Sequence, residues 1–221
     1  MPQRPAAVLF DVDGTLVDSN YLHVHAWLRA FREFDREVDG WRVHRAIGMG
    51  SGKLLADLLG DEDAEKIGDR VKELHSRFYL GSAELLRPFR DARELVRKLA
   101  DGGTRVVLAT SAGADELDVV RKVLDVDDMV AAIVSGKDVE ATKPDPEPVM
   151  AALERAGTPP DRTIFVGDAM WDVHSAKRAG VATVAVRSGG TSAAELRDAG
   201  AVAVYDDVAE LLTKIDASPL F

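Results

Sequence analysis

Ala6-Ala7-Val8-Leu9-Phe10-Asp11-Val12-Asp13-Gly14-Thr15 is the stretch that decides the fold. Its first five residues have the length and apolarity of a buried strand. The run ends in two acidic side chains one residue apart, and Gly14 then allows a sharp turn. Carboxylates at the carboxyl end of a buried strand lie where open α/β sheets bind ligands. Two of them together repel unless a cation or a shared proton relieves them. A helix-loop-helix calcium loop would require Asp or Asn at position 15 and Glu at position 22, and the chain has Thr15 and Leu22 there. An ordinary Asp-Gly turn stays open as the alternative.

Downstream, apolar runs recur at Arg105–Ala109, Ala131–Val134, Thr163–Val166, Val181–Val186 and Ala201–Val204. They are short and rich in Val, Ile and Ala, as parallel strands covered on both faces are. Between them Ala92, Leu95, Val96 and Leu99 fall on one helical face, as do Leu117, Val120 and Leu124. Asp145-Pro146 reads as a cap followed by proline at the first helical position. Strands alternating with helices predict an α/β fold with a doubly wound, Rossmann-like parallel sheet.

Residues 19–87 show helical periodicity and no strand pattern. Leu22, Leu28 and Phe31 are placed on one face, Trp27 and Phe34 on another, and a helix is expected over Asp63–Leu80. The expected division is a core of 1–17 and 88–221 with a helical cap of 18–87, hinged near Leu16–Asp18 and Leu86–Phe89. Gly50-Ser51-Gly52-Lys53 faintly resembles a phosphate loop, but Ile47 and Leu54 occupy places that motif reserves for Gly and Ser or Thr. The glycines read instead as a hinge between lid helices.

Composition narrows the function. The 221 residues carry 28 basic and 38 acidic side chains, a net charge of −10, and are 46% hydrophobic. An acidic surface repels nucleic-acid phosphates and anionic membranes, so neither is an expected partner. The absence of cysteine excludes disulfides, thiolate catalysis and zinc-thiolate sites. Met1-Pro2-Gln3-Arg4-Pro5 lacks the apolar segment of a signal peptide, and no stretch is long enough to span a bilayer. The expectation is a cytoplasmic protein, monomeric or weakly homodimeric.

Doubly wound sheets gather their strand ends along one edge, where four groups in this chain can meet. The first is Asp11 with Asp13. The second is Thr110-Ser111, whose hydroxyls and backbone N–H groups suit phosphate oxygens or, alternatively, a helix cap. The third is Lys143, between Thr142 and Pro144, either a neutralising cation for a carboxylate and a phosphoryl group or a surface lysine. The fourth is Gly167-Asp168 with Asp172. Asp168 can complete an oxygen cage for Mg²⁺ with Asp11 and the backbone carbonyl of Asp13. Asp172 either orients a metal-bound water or caps the following helix.

These four groups, in this order and each after an apolar run, resemble the haloacid dehalogenase superfamily, specifically its phosphatases with a helical cap. The resemblance covers the whole chain. It implies that Asp11 is a nucleophile forming an aspartyl-phosphate. It further implies Asp13 as the acid and base, Thr110, Ser111 and Lys143 as phosphate ligands, and Asp11, Asp13 and Asp168 around Mg²⁺. The cap resembles that of phosphoglycolate phosphatases and β-phosphoglucomutases. His23, twelve residues after Asp11, stands where that group has a histidine aligning the acid–base aspartate; a structural helix histidine is the other reading. The expected activity is Mg²⁺-dependent hydrolysis of a small phosphate monoester. A phosphosugar mutase and a non-catalytic protein retaining the fold are the alternatives.

Overall fold

β1 (Ala7–Phe10) is buried along its whole length and pairs in parallel with β2 (Arg105–Ala109) on one side. Beyond β2 lies β3 (Ala132–Val134). On the other side of β1 lie β4 (Thr163–Gly167), β5 (Ala182–Val186) and β6 (Ala203–Tyr205). The resulting six-stranded sheet is parallel throughout, in the order β3-β2-β1-β4-β5-β6. The chain reverses direction across the sheet between β1 and β4, the crevice where such sheets bind ligands. This computed structural model describes residues 4–221; the part of the amino-terminal reading that falls on Met1, Pro2 and Gln3 lies outside them.

Four helices fill the segment directly after β1: α1 (Asn20–Arg32), α2 (Gly40–Ala46), α3 (Ser51–Leu59) and α4 (Asp61–Leu80). The rest flank the sheet: α5 (Ala92–Asp101), α6 (Ala114–Leu124), α7 (Glu147–Ala156), α8 (Met170–Arg178), α9 (Ala193–Ala199) and α10 (Val208–Thr213). Alternation along β1 explains the two-sided burial. Val8 and Phe10 pack with Leu95 and Leu99 of α5 and Val120 and Leu124 of α6. Ala7 and Leu9 pack on the opposite face with Val149 and Ala152 of α7 and Ala176 of α8.

Helices α1–α4 have their own apolar cluster, built on Val24, Trp27, Phe31, Val43, Leu54, Leu55 and Val71. Trp27, Leu28, Phe31 and Phe34 all join it, whereas Leu22 packs against the sheet cluster. The two faces read for α1 are therefore one face, with Leu22 divided from it by its place in the first turn. α4 begins at Asp61, two residues earlier than expected. Asp61, Glu62 and Asp63 fill its first turn, where negative charge meets the positive end of the helix dipole. The two segments leading into and out of these helices lie side by side. Asp18 N–H donates to Arg87 C=O at 3.0 Å and Phe89 N–H to Leu16 C=O at 2.9 Å.

One local expectation is corrected. α7 starts at Glu147, and Asp145 does not cap it. The Asp145 side chain instead pairs with Lys53, whose Nζ also donates to Thr142 C=O at 2.6 Å. The glycine-rich segment runs from the end of α2 into α3 and packs closely at Gly50. A side chain at Gly50 would meet Thr142 Cβ at 2.3 Å, so the absent side chain is what lets α3 approach the loop carrying Lys143. Among the described residues no helix is long and apolar enough to cross a membrane.

Candidate active site

Asp11 follows β1 directly, and its N–H donates to Val166 C=O of β4 at 2.9 Å. That bond brings the end of β4 beside it, and with it Asp168. Asp11, Asp168 and Asp172 each present a carboxylate oxygen within 4.8 Å of the others, and all three are buried. Side chains 157 residues apart in sequence thus form one cluster, as the strand-end reading requires. Asp168 is held by Thr15 Oγ1 at 2.9 Å and Asn20 Nδ2 at 3.0 Å. Thr15 also reaches Asp11 Oδ2 at 3.4 Å.

Lys143 is 1% exposed, which removes the surface-lysine reading. Its Nζ lies 2.5 Å from Asp11 Oδ1, 2.7 Å from Asp172 Oδ1 and 3.5 Å from Ala109 C=O. Asp172 Oδ2 accepts the N–H of Ala169 at 3.1 Å, so this residue caps α8 and anchors the lysine together. Burial, with the negative charge of Asp172 and Asp13, outweighs Lys143 and pushes Asp11 up to about 7. Burial and the neighbouring Asp172 and Asp11 likewise raise Asp168 well above the usual carboxylate range. Lys143 goes the other way: burial favours its neutral form, but Asp11 and Asp172 prevail and raise it.

Asp13 turns away from that cluster. Its Oδ1 accepts Ser19 Oγ–H at 2.6 Å and lies 3.3 Å from His23 Nε2; its Oδ2 accepts Thr110 Oγ–H at 3.4 Å. Burial alone would raise Asp13, but the bonds from His23 and Ser19 hold it below its ordinary value. The reciprocal attraction raises His23 against the opposing effect of burial. The Asp13 carboxylate is therefore not among the grouped oxygens, and it is the backbone carbonyl of Asp13 that the metal reading uses.

Thr110 and Ser111 do not cap a helix. α6 begins at Ala114, and Thr110 Oγ1 accepts Ala112 N–H at 3.0 Å while donating to Asp13. A cavity of about 340 Å³ opens over this edge. Asp11, Asp13 and Ser111 form its floor, and Trp27 of α1, Leu54 of α3, and Ile47 and Met49 from the turn between α2 and α3 form an apolar wall. A cleft with an apolar wall and convergent polar groups is the form ligand sites take.

The residues present suit a small hard cation. Three buried carboxylates face a single ammonium, so the cluster carries excess negative charge, and its donors are all oxygens. Residues 8–186 match the family described as haloacid dehalogenase-like hydrolase. The chain belongs to that family. It is 32% identical over 216 residues to a phosphoglycolate phosphatase of Rhodospirillum rubrum, covering 94% of this chain and 89% of that one. It is 29% identical over 184 residues to pyrophosphatase PpaX of Bacillus velezensis, covering 83% and 84%. A solved hydrolase from Pseudomonas syringae superposes with a TM-score of 0.91 at 35% identity, covering 97% of this chain and 99% of that one.

Several residues of this haloacid dehalogenase-like hydrolase escaped the sequence reading. Asn20 donates to Gly189 C=O at 3.2 Å as well as to Asp168. A Cβ on Gly189 would lie 1.6 Å from Asp168 Oδ2, so that glycine is what leaves room for the carboxylate. His75 and Glu116 extend the array at His23, with His75 Nε2 3.1 Å from His23 Nδ1. Thr15 sits in the quoted stretch, two residues past Asp13, and a hydroxyl directly after an acidic turn was the available signal.

Proposed function

We propose that this enzyme is a Mg²⁺-dependent phosphatase acting on a small phosphate monoester, with a lid formed by residues 18–87. The observation that carries the reading is the opening of Asp11 and Asp13 into one cavity, with Asp11 braced from behind by buried Lys143. Asp11 Oδ1 is engaged by the lysine, and Oδ2, which Thr15 reaches only at 3.4 Å, is the oxygen assigned to attack phosphorus. An O–P bond forms as the bond to the leaving oxygen breaks, and Asp13 delivers a proton to that oxygen. The ionised Asp13 then takes a proton from the water that cleaves the aspartyl-phosphate. Thr110 and Ser111 stand beside the transferring group, and Lys143 offsets its charge. Asp11, Asp168 and the Asp13 backbone carbonyl would hold Mg²⁺, which as a Lewis acid neutralises charge on phosphoryl oxygens. The paired segments at 16–18 and 86–89 would act as the hinge.

The test is phosphate release from a panel of alkyl, sugar and acyl phosphates, with Mg²⁺ and with EDTA. The reading expects Mg²⁺-dependent release and an acid-stable phosphoenzyme label on Asp11. Transfer between positions of a sugar phosphate without net release would replace it with the mutase alternative. A second expectation concerns the support of Asp168. Gly189→Ala forces that carboxylate aside, and the Mg²⁺ concentration for half-maximal activity should rise about 10–100-fold, the usual cost of disturbing a ligand's surroundings. An unchanged Mg²⁺ requirement would remove Asp168 from the metal site.

A further inference from the structure

Three ionisable side chains from three separate elements line up behind Asp13, the proposed acid–base group. Asp13 Oδ1 lies 3.3 Å from His23 Nε2, His23 Nδ1 lies 3.1 Å from His75 Nε2, and His75 Nδ1 lies 3.6 Å from Glu116 Oε1. His23 stands on α1, His75 on α4 and Glu116 on α6, and each is buried. The rings are also layered. His23 stacks on Tyr79 with centroids 3.9 Å apart and 7° between planes, and His75 stacks on Trp27 at 4.0 Å and 17°. Layered rings of this kind cannot turn over without unpacking their neighbours.

We propose that His75 and Glu116 are positioning residues for the acid–base pair Asp13–His23, and that they act by fixing which nitrogen of His23 faces the aspartate. This rests on the phosphatase reading above. The proton bookkeeping supports it. A carboxylate facing His75 Nδ1 favours a proton on that nitrogen, so a neutral His75 offers Nε2 as an acceptor. His23 Nδ1, 3.1 Å away, must then carry the hydrogen between the two rings. That leaves His23 Nε2 as the nitrogen that shares a single proton with Asp13 Oδ1. With the other tautomer of His75, an imidazolium His23 paired with ionised Asp13 would set its Nδ1–H against the Nε2–H of His75. Burial and the adjoining His23 keep His75 neutral, lowering it well below its ordinary value, in agreement with the acceptor role. Because His75 comes from α4 and Glu116 from α6, the array is complete only while α4 lies against α6. Closure of the lid and alignment of the acid are thereby one event.

The leaving group separates this role from simple support of the fold. Departure of an alkoxide requires a proton, whereas p-nitrophenolate leaves without one. His75→Leu should lower kcat/KM for an alkyl phosphate about tenfold or more, and for p-nitrophenyl phosphate less than about threefold. His75→Gln, which returns an acceptor oxygen facing His23, should recover part of the alkyl activity, and Glu116→Gln should reproduce the selective loss. Equal losses on both substrates, or none, would overturn the proposal. A second readout is independent of turnover. Imidazole nitrogen-15 shifts of the intact protein should show His75 protonated at Nδ1 and bare at Nε2. Glu116→Gln should move that proton toward Nε2. A wild-type His75 protonated at Nε2 sinks the proposal whether or not any ester is hydrolysed. If no ester is turned over while the shifts are as expected, the phosphatase reading has failed, and the acid–base role with it, but the array itself stands.

Discussion

Asp11→Asn is expected to abolish turnover while leaving the fold intact. The substitution keeps an oxygen for the Lys143 ammonium, which now lies 2.5 Å from Asp11 Oδ1. It removes the charge and with it the nucleophile, and losses of about 10⁴-fold or more in kcat are the scale for deleting a covalent nucleophile. No phosphoenzyme should accumulate. The stability effect has an opposite sign to the effect on activity. Asp11 is raised from an ordinary carboxylate value to about 7 in the folded chain, chiefly by burial. A group so raised contributes stability that is fully present below its unfolded value and is lost as pH climbs through the folded one. For Asp11 that window runs upward from its ordinary acidic range to about pH 7. Asparagine does not titrate. Measured in EDTA, the Tm of Asp11→Asn should therefore gain on that of the wild type between pH 5 and pH 8. Retention of wild-type p-nitrophenyl phosphate hydrolysis by this variant would reject the nucleophile assignment outright.

What the sequence disclosed follows from the kind of sheet this is. A parallel strand covered on both faces is apolar along most of its length, so β1, β2, β4 and β5 stand out as apolar runs, interrupted only by Arg105, Thr163 and Thr183, without any partner being known. Asp11, Asp13, Lys143 and Asp168 were legible because each directly follows such a run or the loop beyond it, and the strand-end rule places them along one edge. Asn20, His75, Glu116 and Gly189 were not. Each matters through a contact with a different element: Asn20 with Asp168, His75 with His23, Glu116 with His75, Gly189 with Asp168. Helical periodicity gives a face but not which neighbour that face meets, so His75 could be placed on α4 and not against α6. Asp145 shows the limit from the other side. Asp-Pro before a helix satisfies the local rule for a cap, yet the ion pair with Lys53 of α3 takes that carboxylate. Tertiary contact overrides local preference where the two compete.

Removal of Lys143 should cost the fold as well as the chemistry. Its ammonium sits between Asp11 and Asp172 with almost no access to solvent. Taking one partner from a buried ion pair leaves uncompensated charge, at about 3–5 kcal/mol. For a chain of this length that corresponds to a fall in Tm of about 6–20 °C. Lys143→Met keeps most of the apolar stem, so the fall reports charge rather than a cavity. Two controls identify the origin. Lower pH should shrink the deficit, because protonation of Asp11 and Asp168, both already raised, removes the repulsion that the lysine now offsets. Millimolar Mg²⁺ should shrink it too, since a divalent cation among these carboxylates supplies the missing positive charge. The double variant Lys143→Met with Asp172→Asn should be more stable than the single one, a coupling that independent sites do not show. Turnover should fall in every one of these variants regardless of stability. The Mg²⁺ that rescues the fold cannot replace a cation fixed on the far side of the nucleophile. A Lys143→Met chain with wild-type Tm at pH 8 in EDTA would mean that the cluster is already neutralised by its own protons, and the cation requirement inferred from three carboxylates and one lysine would lose its basis.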